Sequence, residues 1–140
     1  MPNYPDSLIK SILRSVRTIA MVGASANPAR PSYGVLGFLL SKGFRVHPVN
    51  PGQAGKEIQG QRVYASLAEV PEPVDMVDVF RAAAQVPGVV DAALALDPLP
   101  KVIWMQLGVR DDDAAARAEA AGIEVVMNRC PKIEWARLRL

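Results

Sequence analysis

The sequence is short of the side chains that most often do chemistry: its 140 residues include one cysteine, one histidine, few aromatics and a net charge of only +2. A lone Cys130 excludes an intrachain disulfide and any multi-cysteine metal site. With His47 as the only imidazole, most zinc, iron and copper arrangements fall away, and no metal site is expected. The basic residues are scattered and nearly balanced by acids, which does not make a nucleic-acid footprint. No apolar run approaches the length of a membrane span, and Met1-Pro2-Asn3-Tyr4-Pro5 lacks the charged-then-apolar pattern of a secretory leader. The expectation is a soluble, cytoplasmic protein forming one domain over residues 1–140, with no membrane or nucleic-acid partner and enough chain to bury its own core.

What the sequence does have is an alternation of apolar strands and amphipathic helices. Strands are predicted over 18–23, 44–49, 74–79, 101–106 and 123–127, with helices near 33–42, 66–70, 84–97 and 111–121 between them. Leu8, Ile9, Ile12, Leu13 and Val16 mark a further helix at the start, and Pro131 opens a last one through Leu138. Lys42-Gly43 and Gly122 close helices, Asp111 begins one, and Pro71-Glu72-Pro73 and Asp97-Pro98-Leu99-Pro100 are rigid turns ahead of strands. This alternation implies an α/β, Rossmann-like, three-layer fold. A five-stranded parallel sheet in the order 3-2-1-4-5 would carry helices on both faces, with a ligand crevice where the order reverses beside strand one.

The segment Thr18 to Pro51 concentrates the functional signal. Thr18-Ile19-Ala20-Met21-Val22 reads as a central strand, and Gly23-Ala24-Ser25 breaks it with residues small enough for a ligand to approach the backbone. The helix that follows offers N–H groups and a positive dipole end, so an anion is the expected guest. The guest does not read as a nicotinamide dinucleotide: Gly-x-Gly-x-x-Gly is replaced by Gly23-Ala24-Ser25-Ala26-Asn27-Pro28, and Asn50-Pro51 stands where an acidic ribose clamp belongs. The nucleoside-triphosphate loop is absent as well, because Gly55-Lys56 is followed by Glu57. Arg30, held between prolines, and Lys56 supply positive charge instead, which suits a ligand with several phosphate groups.

Five blocks, in order, carry a family resemblance. They are Val22-Gly23-Ala24-Ser25 with Asn27-Pro28 and Arg30-Pro31-Ser32-Tyr33; Pro48-Val49-Asn50-Pro51; Val77-Asp78-Val79-Phe80-Arg81; Trp104-Met105-Gln106-Leu107-Gly108; and Asn128-Arg129-Cys130. Together they resemble the small stand-alone CoA-binding proteins, relatives of the CoA-binding N-terminal domain of the succinyl-CoA synthetase alpha subunit. The resemblance implies coenzyme A lying across the carboxyl ends of the strands. Gly23, Ala24 and Ser25, with Asn27, Arg30, Ser32 and Tyr33, would approach its phosphates. Val49, Asn50 and Pro51 would shape the adenine side, Phe80 and Arg81 the pantetheine arm, and Gln106 and Gly108 the region beyond. The synthetase has a lysine directly after the Pro-Gly of its second loop, where this chain has Gln53; whether Lys56 replaces it is open.

The remaining polar residues read more plainly. His47 sits within a strand as a packed or hydrogen-bonded histidine, and Asp75 and Asp78 are read as acceptors for loop N–H groups near a strand end rather than as acid–base pairs. Asp111, Asp112 and Asp113 diverge by about 100° each along a helix and form a cap, not an ion site. Cys130 is read as a buried small hydrophobe, with a reactive thiol on the ligand side as the competing reading. Trp104 and Trp135 are core or interface aromatics. No nucleophile has a histidine or carboxylate partner, so a binding protein of CoA or an acyl-CoA without intrinsic catalysis is the leading reading. The alternatives are an NAD(P)-binding or sensing module, and an acyl-CoA enzyme or ligase subunit that needs a partner chain. A homodimer or another protein partner is a further expectation.

Overall fold

The computed structural model describes residues 3–140. Met1 and Pro2, the start of the stretch read for a leader, lie outside the described residues. The elements are α1 (Asp6–Ser15), β1 (Thr18–Val22), α2 (Pro31–Ser41), β2 (Arg45–Val49), β3 (Glu57–Ile58), β4 (Gln61–Arg62), β5 (Met76–Val79), α3 (Val86–Leu94), β6 (Val102–Met105), α4 (Asp112–Ala120), β7 (Glu124–Val126) and α5 (Pro131–Arg137). Single 3-10 turns cover Pro51–Gln53, Leu67–Glu69 and Ala83–Gln85. The helix expected near 66–70 is thus one such turn. The helix expected over 84–97 is the last 3-10 turn followed by α3.

Five strands make one parallel sheet in the order β2-β1-β5-β6-β7. β1, β5 and β6 are buried along their whole length, as central parallel strands covered on both faces must be. Side chains alternate between two cores. Met21, Met76 and Trp104 point toward α1, α2 and α5, where Ile9, Leu36 and Leu39 meet them. Ala20, Val77, Ile103 and Met105 point toward α3 and α4. Each core buries well over a dozen apolar side chains at about 25 cal/mol per Å², which is what holds three layers together.

The sheet is the doubly wound, Rossmann-like arrangement expected, with its reversal beside β1. Its third place is filled differently. On the β2 wing it is taken by Tyr64, which bridges Val49 in parallel, while the strand predicted over 74–79 becomes β5 and pairs with β1 on the other side. The cause lies in residues 51–64, which stay at the β2 edge. There a 3-10 turn leads into the β3–β4 hairpin, whose Gln59 (φ 51°) and Gly60 (φ 80°) supply the left-handed pair a two-residue turn requires. Ile58 anchors that hairpin in the α2-side core, and Gln59 Nε2 donates to the Tyr33 carbonyl at 2.8 Å.

Helix starts follow their sequence signals. Pro31 and Pro131 occupy first turns of α2 and α5, and Asp111 Oδ1 accepts from Ala114 N at 2.9 Å at the start of α4. No helix among the described residues is long and apolar enough to cross a membrane.

Candidate functional site

A cavity of about 860 Å³ opens over the carboxyl ends of the strands, where a doubly wound sheet places its ligands. Each strand contributes the residues that immediately follow it. Gly23, Ala24 and Ser25 come from the end of β1, Asn50 from β2, Phe80, Arg81 and Ala82 from β5, Gln106, Leu107 and Val109 from β6, and Cys130 from beyond β7. Arg30, Pro31, Ser32 and Val35 close the cavity from the start of α2, and Lys132 and Ile133 from α5. A smaller cavity of about 400 Å³, between the turn at 67–74 and residues 95–98, has no cationic side chain in its wall.

Charge in the larger cavity is one-sided. Among the described residues its wall carries Arg30, Arg81 and Lys132 and no carboxylate. The Arg30 and Arg81 guanidiniums have no ion-pair or hydrogen-bond partner among the described residues. Two arginines left unpaired beside a cavity keep their full capacity for a phosphate. The backbone contributes less than the sequence suggests, because the N–H groups of the turn are largely spent on holding it. Gly23 N donates to the Val49 carbonyl at 2.9 Å, Ser25 N to Ser32 Oγ at 3.1 Å, and Asn27 N to Ser25 Oγ at 3.1 Å. Asn27 Oδ1 accepts from Ala29 N at 2.9 Å, and Asn50 Nδ2 donates to the Ala24 carbonyl at 2.8 Å. The arginine side chains, not the turn amides, are therefore the main source of attraction for an anion.

Gly23 has a second reason to be glycine. Its φ is 86°, and a Cβ there would meet the Phe80 carbonyl oxygen at 2.6 Å, so the β1 turn packs directly on the β5 turn. The room it was read as leaving for a ligand is partly filled by the protein's own backbone.

The expected site residues divide. Gly23, Ala24, Ser25, Arg30, Ser32, Asn50, Phe80, Arg81 and Gln106 line the cavity. Asn27, Tyr33, Val49, Pro51, Lys56 and Gly108 do not. Val49 is buried below the turn, Tyr33 packs on the α2-side core, and Gly108 N donates to Asn128 Oδ1 at 2.7 Å. Lys56 is exposed, and its main chain pairs with Val63 at the base of the hairpin. The lysine of the second loop is therefore not replaced in the cavity wall by Lys56; the cations there are Arg81 and Lys132.

The acids and the histidine stand apart from the cavity wall. His47 Nε2 lies 2.6 Å from Glu72 Oε2 on the β2 edge, and burial, with the nearby Arg45 charge, lowers its pKa. Asp75 precedes β5, at the amino end of the strand. Burial pushes its carboxyl up, but bonds from Arg17 N and Thr18 N at 2.9 and 3.0 Å, with the Lys101 and Arg17 charges, more than offset that and leave it below the ordinary range. Asp78, expected to accept loop N–H groups, accepts nothing. It sits mid-strand between Met21 and Trp104, fully buried, and neither oxygen has a hydrogen-bond partner among the described residues. Burial raises its pKa well above the ordinary carboxyl value.

The sequence model of the CoA binding domain family matches residues 17–136. The chain belongs to this family. YneT of Bacillus subtilis, an uncharacterized protein, is 35% identical over 136 residues, covering 97% of this chain and 98% of its own. A hypothetical protein from Pyrococcus horikoshii has a solved structure 33% identical to this one with a TM-score of 0.92, covering 99% of this chain and 94% of that one. The alpha subunit of a Pyrococcus furiosus ADP-forming acetate–CoA ligase is 34% identical over 79 residues, 54% of this chain and 17% of that subunit. The family is thus met both as small chains of this size and as one region of ligase subunits.

Within this CoA-binding domain, sequence reasoning missed Pro31, Val35, Ala82, Leu107, Val109, Lys132 and Ile133 as cavity residues. Lys132 and Ile133 reach it only because α5 packs beside α2, with Trp135 edge-on to Phe38 at 6.1 Å. No local pattern announces a contact between helices about a hundred residues apart.

Proposed function

We propose that this chain binds coenzyme A or an acyl-CoA in the cavity at the carboxyl ends of the sheet, as a binding protein without catalysis of its own. The observation that carries the reading is the wall itself: among the described residues it holds Arg30 and Arg81 unpaired, no acid, and the apolar side chains of Val35, Phe80, Leu107, Val109 and Ile133. A ligand with phosphates at one end and a long, mostly uncharged arm at the other matches both halves. Membership of the CoA-binding domain family supports the same ligand.

Catalysis would need a nucleophile with a base in hydrogen-bond reach. Ser25 and Ser32 use their hydroxyls on backbone N–H groups of the turn, and His47 is engaged with Glu72 on the β2 edge. Any acyl transfer would therefore come from a partner chain, an arrangement the similarity to a ligase alpha subunit favours.

Arg30→Ala is expected to weaken CoA binding by about 1.5–3 kcal/mol, the worth of a charge-assisted hydrogen bond, and to flatten its dependence on salt. Arg81→Ala is expected to act in the same direction. Calorimetric titration at two salt concentrations checks both, and equal affinity for wild type and both variants at low salt would place the phosphates elsewhere.

A further inference from the structure

The far wall of the cavity holds two groups with no assigned part. Gln106 is only 5% exposed, follows β6, lines the cavity, and its Oε1 has no hydrogen-bond partner among the described residues. A buried amide oxygen left empty costs about 1–3 kcal/mol, so it points to a donor that arrives with the ligand. Cys130, one strand further along, is a free thiol on the same wall, 7% exposed. Its backbone is fixed on both sides. Arg129 N donates to the Met105 carbonyl at 3.2 Å, Trp104 Nε1 to the Arg129 carbonyl at 2.9 Å, and Glu134 N to the Cys130 carbonyl at 2.9 Å.

The order of strands gives the spacing. From the β1 turn, where Arg30 would meet the phosphates, three parallel strand spacings lead through β5 and β6 to β7, about 14 Å at 4.7–4.9 Å each. A pantetheine arm between its phosphate oxygen and its sulfur has the length of some four extended residues, about 15 Å. An arm laid across the strand ends in this direction passes Gln106, whose empty carbonyl can accept from one of its amide N–H groups, and brings its sulfur to Cys130.

We propose that Cys130 forms a mixed disulfide with coenzyme A when the ligand arrives as a disulfide; this rests on the CoA-binding reading above. The Cys130 thiolate attacks one sulfur of a CoA disulfide, the sulfur–sulfur bond breaks, and a Cys130–CoA disulfide forms. The second CoA leaves as a thiolate and takes up the proton that Cys130 gave to solvent. The oxidant is the CoA disulfide itself, so the exchange balances without another reagent, and the second CoA leaves through the open mouth beside Leu107 and Ile133, 56% and 51% exposed.

The test exposes the folded full chain to CoA disulfide and, separately, to glutathione disulfide, and follows intact mass without reductant. Because Cys130 is the only cysteine, any adduct locates itself. The expected result is a CoA adduct, reversed by dithiothreitol, forming about tenfold or more faster than the glutathione adduct because the phosphates hold the reagent in place. Arg30→Ala should slow the CoA reaction toward the glutathione rate. No CoA adduct on the folded chain, or equal rates for the two disulfides, overturns the proposal. Titration of the same preparation with reduced CoA separates the two failures: binding without adduct removes only the thiol exchange, and no binding removes the site as well.

Discussion

Gly23→Val is expected to lower the melting temperature by about 10–20 °C, the effect of losing about 3–5 kcal/mol in a domain of this size. Two costs combine. The φ of 86° is a left-handed conformation that a β-branched residue adopts only with strain, and the new Cβ would lie 2.6 Å from the Phe80 carbonyl oxygen, a backbone atom that cannot step aside. The β1 and β5 turns would have to separate, and with them the Phe80 N to Val22 carbonyl bond of 2.8 Å. Gly55→Ala separates the two costs, since Gly55 has a similar φ of 83° but nothing among the described residues within 4 Å of its Cβ position. That control should lose only about 1 kcal/mol. Thermal unfolding followed by circular dichroism compares the two. Similar melting temperatures for Gly23→Val and Gly55→Ala would show that the turns yield, leaving Gly23 as room for ligand alone.

Asp78 should make the protein less stable as pH rises. Its folded-state pKa is raised well above 3.8, so the folded protein holds a proton that the unfolded chain releases from about pH 4 upward. The stability this proton gives is fully present below the unfolded value and is lost as pH climbs toward the folded one, at up to about 1.4 kcal/mol per pH unit. Asp75 and His47 have the opposite sign. Each has a lowered folded pKa, so Asp75 loses its contribution as pH falls below the carboxyl range, and His47 adds stability as pH rises toward 6.5. Both remain in Asp78→Asn, so the difference between wild type and variant isolates Asp78. Urea unfolding across a pH series rising from about pH 5 should show the variant gaining stability relative to the wild type as pH climbs. A difference that stays flat would mean that Asp78 has a partner or is ionised in the fold.

The layers of the fold were legible because parallel strands covered on both faces are unbroken apolar runs, as in Ile19-Ala20-Met21-Val22 and Val102-Ile103-Trp104-Met105. Helix ends were legible where the chain carries local chemistry, at Asp111 and Pro131. Place within the sheet was not. Whether the strand after residue 74 lies outside β2 or inside against β1 depends on what residues 51–64 do at the edge, and two-residue strands such as β3 and β4 leave too little periodicity to read. The same gap misplaced Lys56: it ends a glycine-rich stretch after the second strand, but pairing with Val63 holds it in the hairpin base. Arg30 was legible as a charge beside the first turn, Arg81 only through the resemblance and then as a neighbour of the pantetheine arm, whereas Lys132 and Ile133 needed the α2–α5 contact. Asp78 was legible as an oddity in an apolar strand, but its lack of any partner is a property of the packed core alone.

The claim that Arg30 and Arg81 make a site for coenzyme A is tested most directly by titrating the purified full chain with CoA, dephospho-CoA and NAD in a calorimeter. Asn50 and Pro51 follow β2, where a ribose-binding acid would serve NAD, and Asn50 spends its amide on Ala24 and Gly52. The account predicts saturable binding of CoA, weaker binding of dephospho-CoA in proportion to the phosphate charge removed, and no competition from NAD. NAD binding tighter than CoA, or no heat from CoA at all, would contradict it.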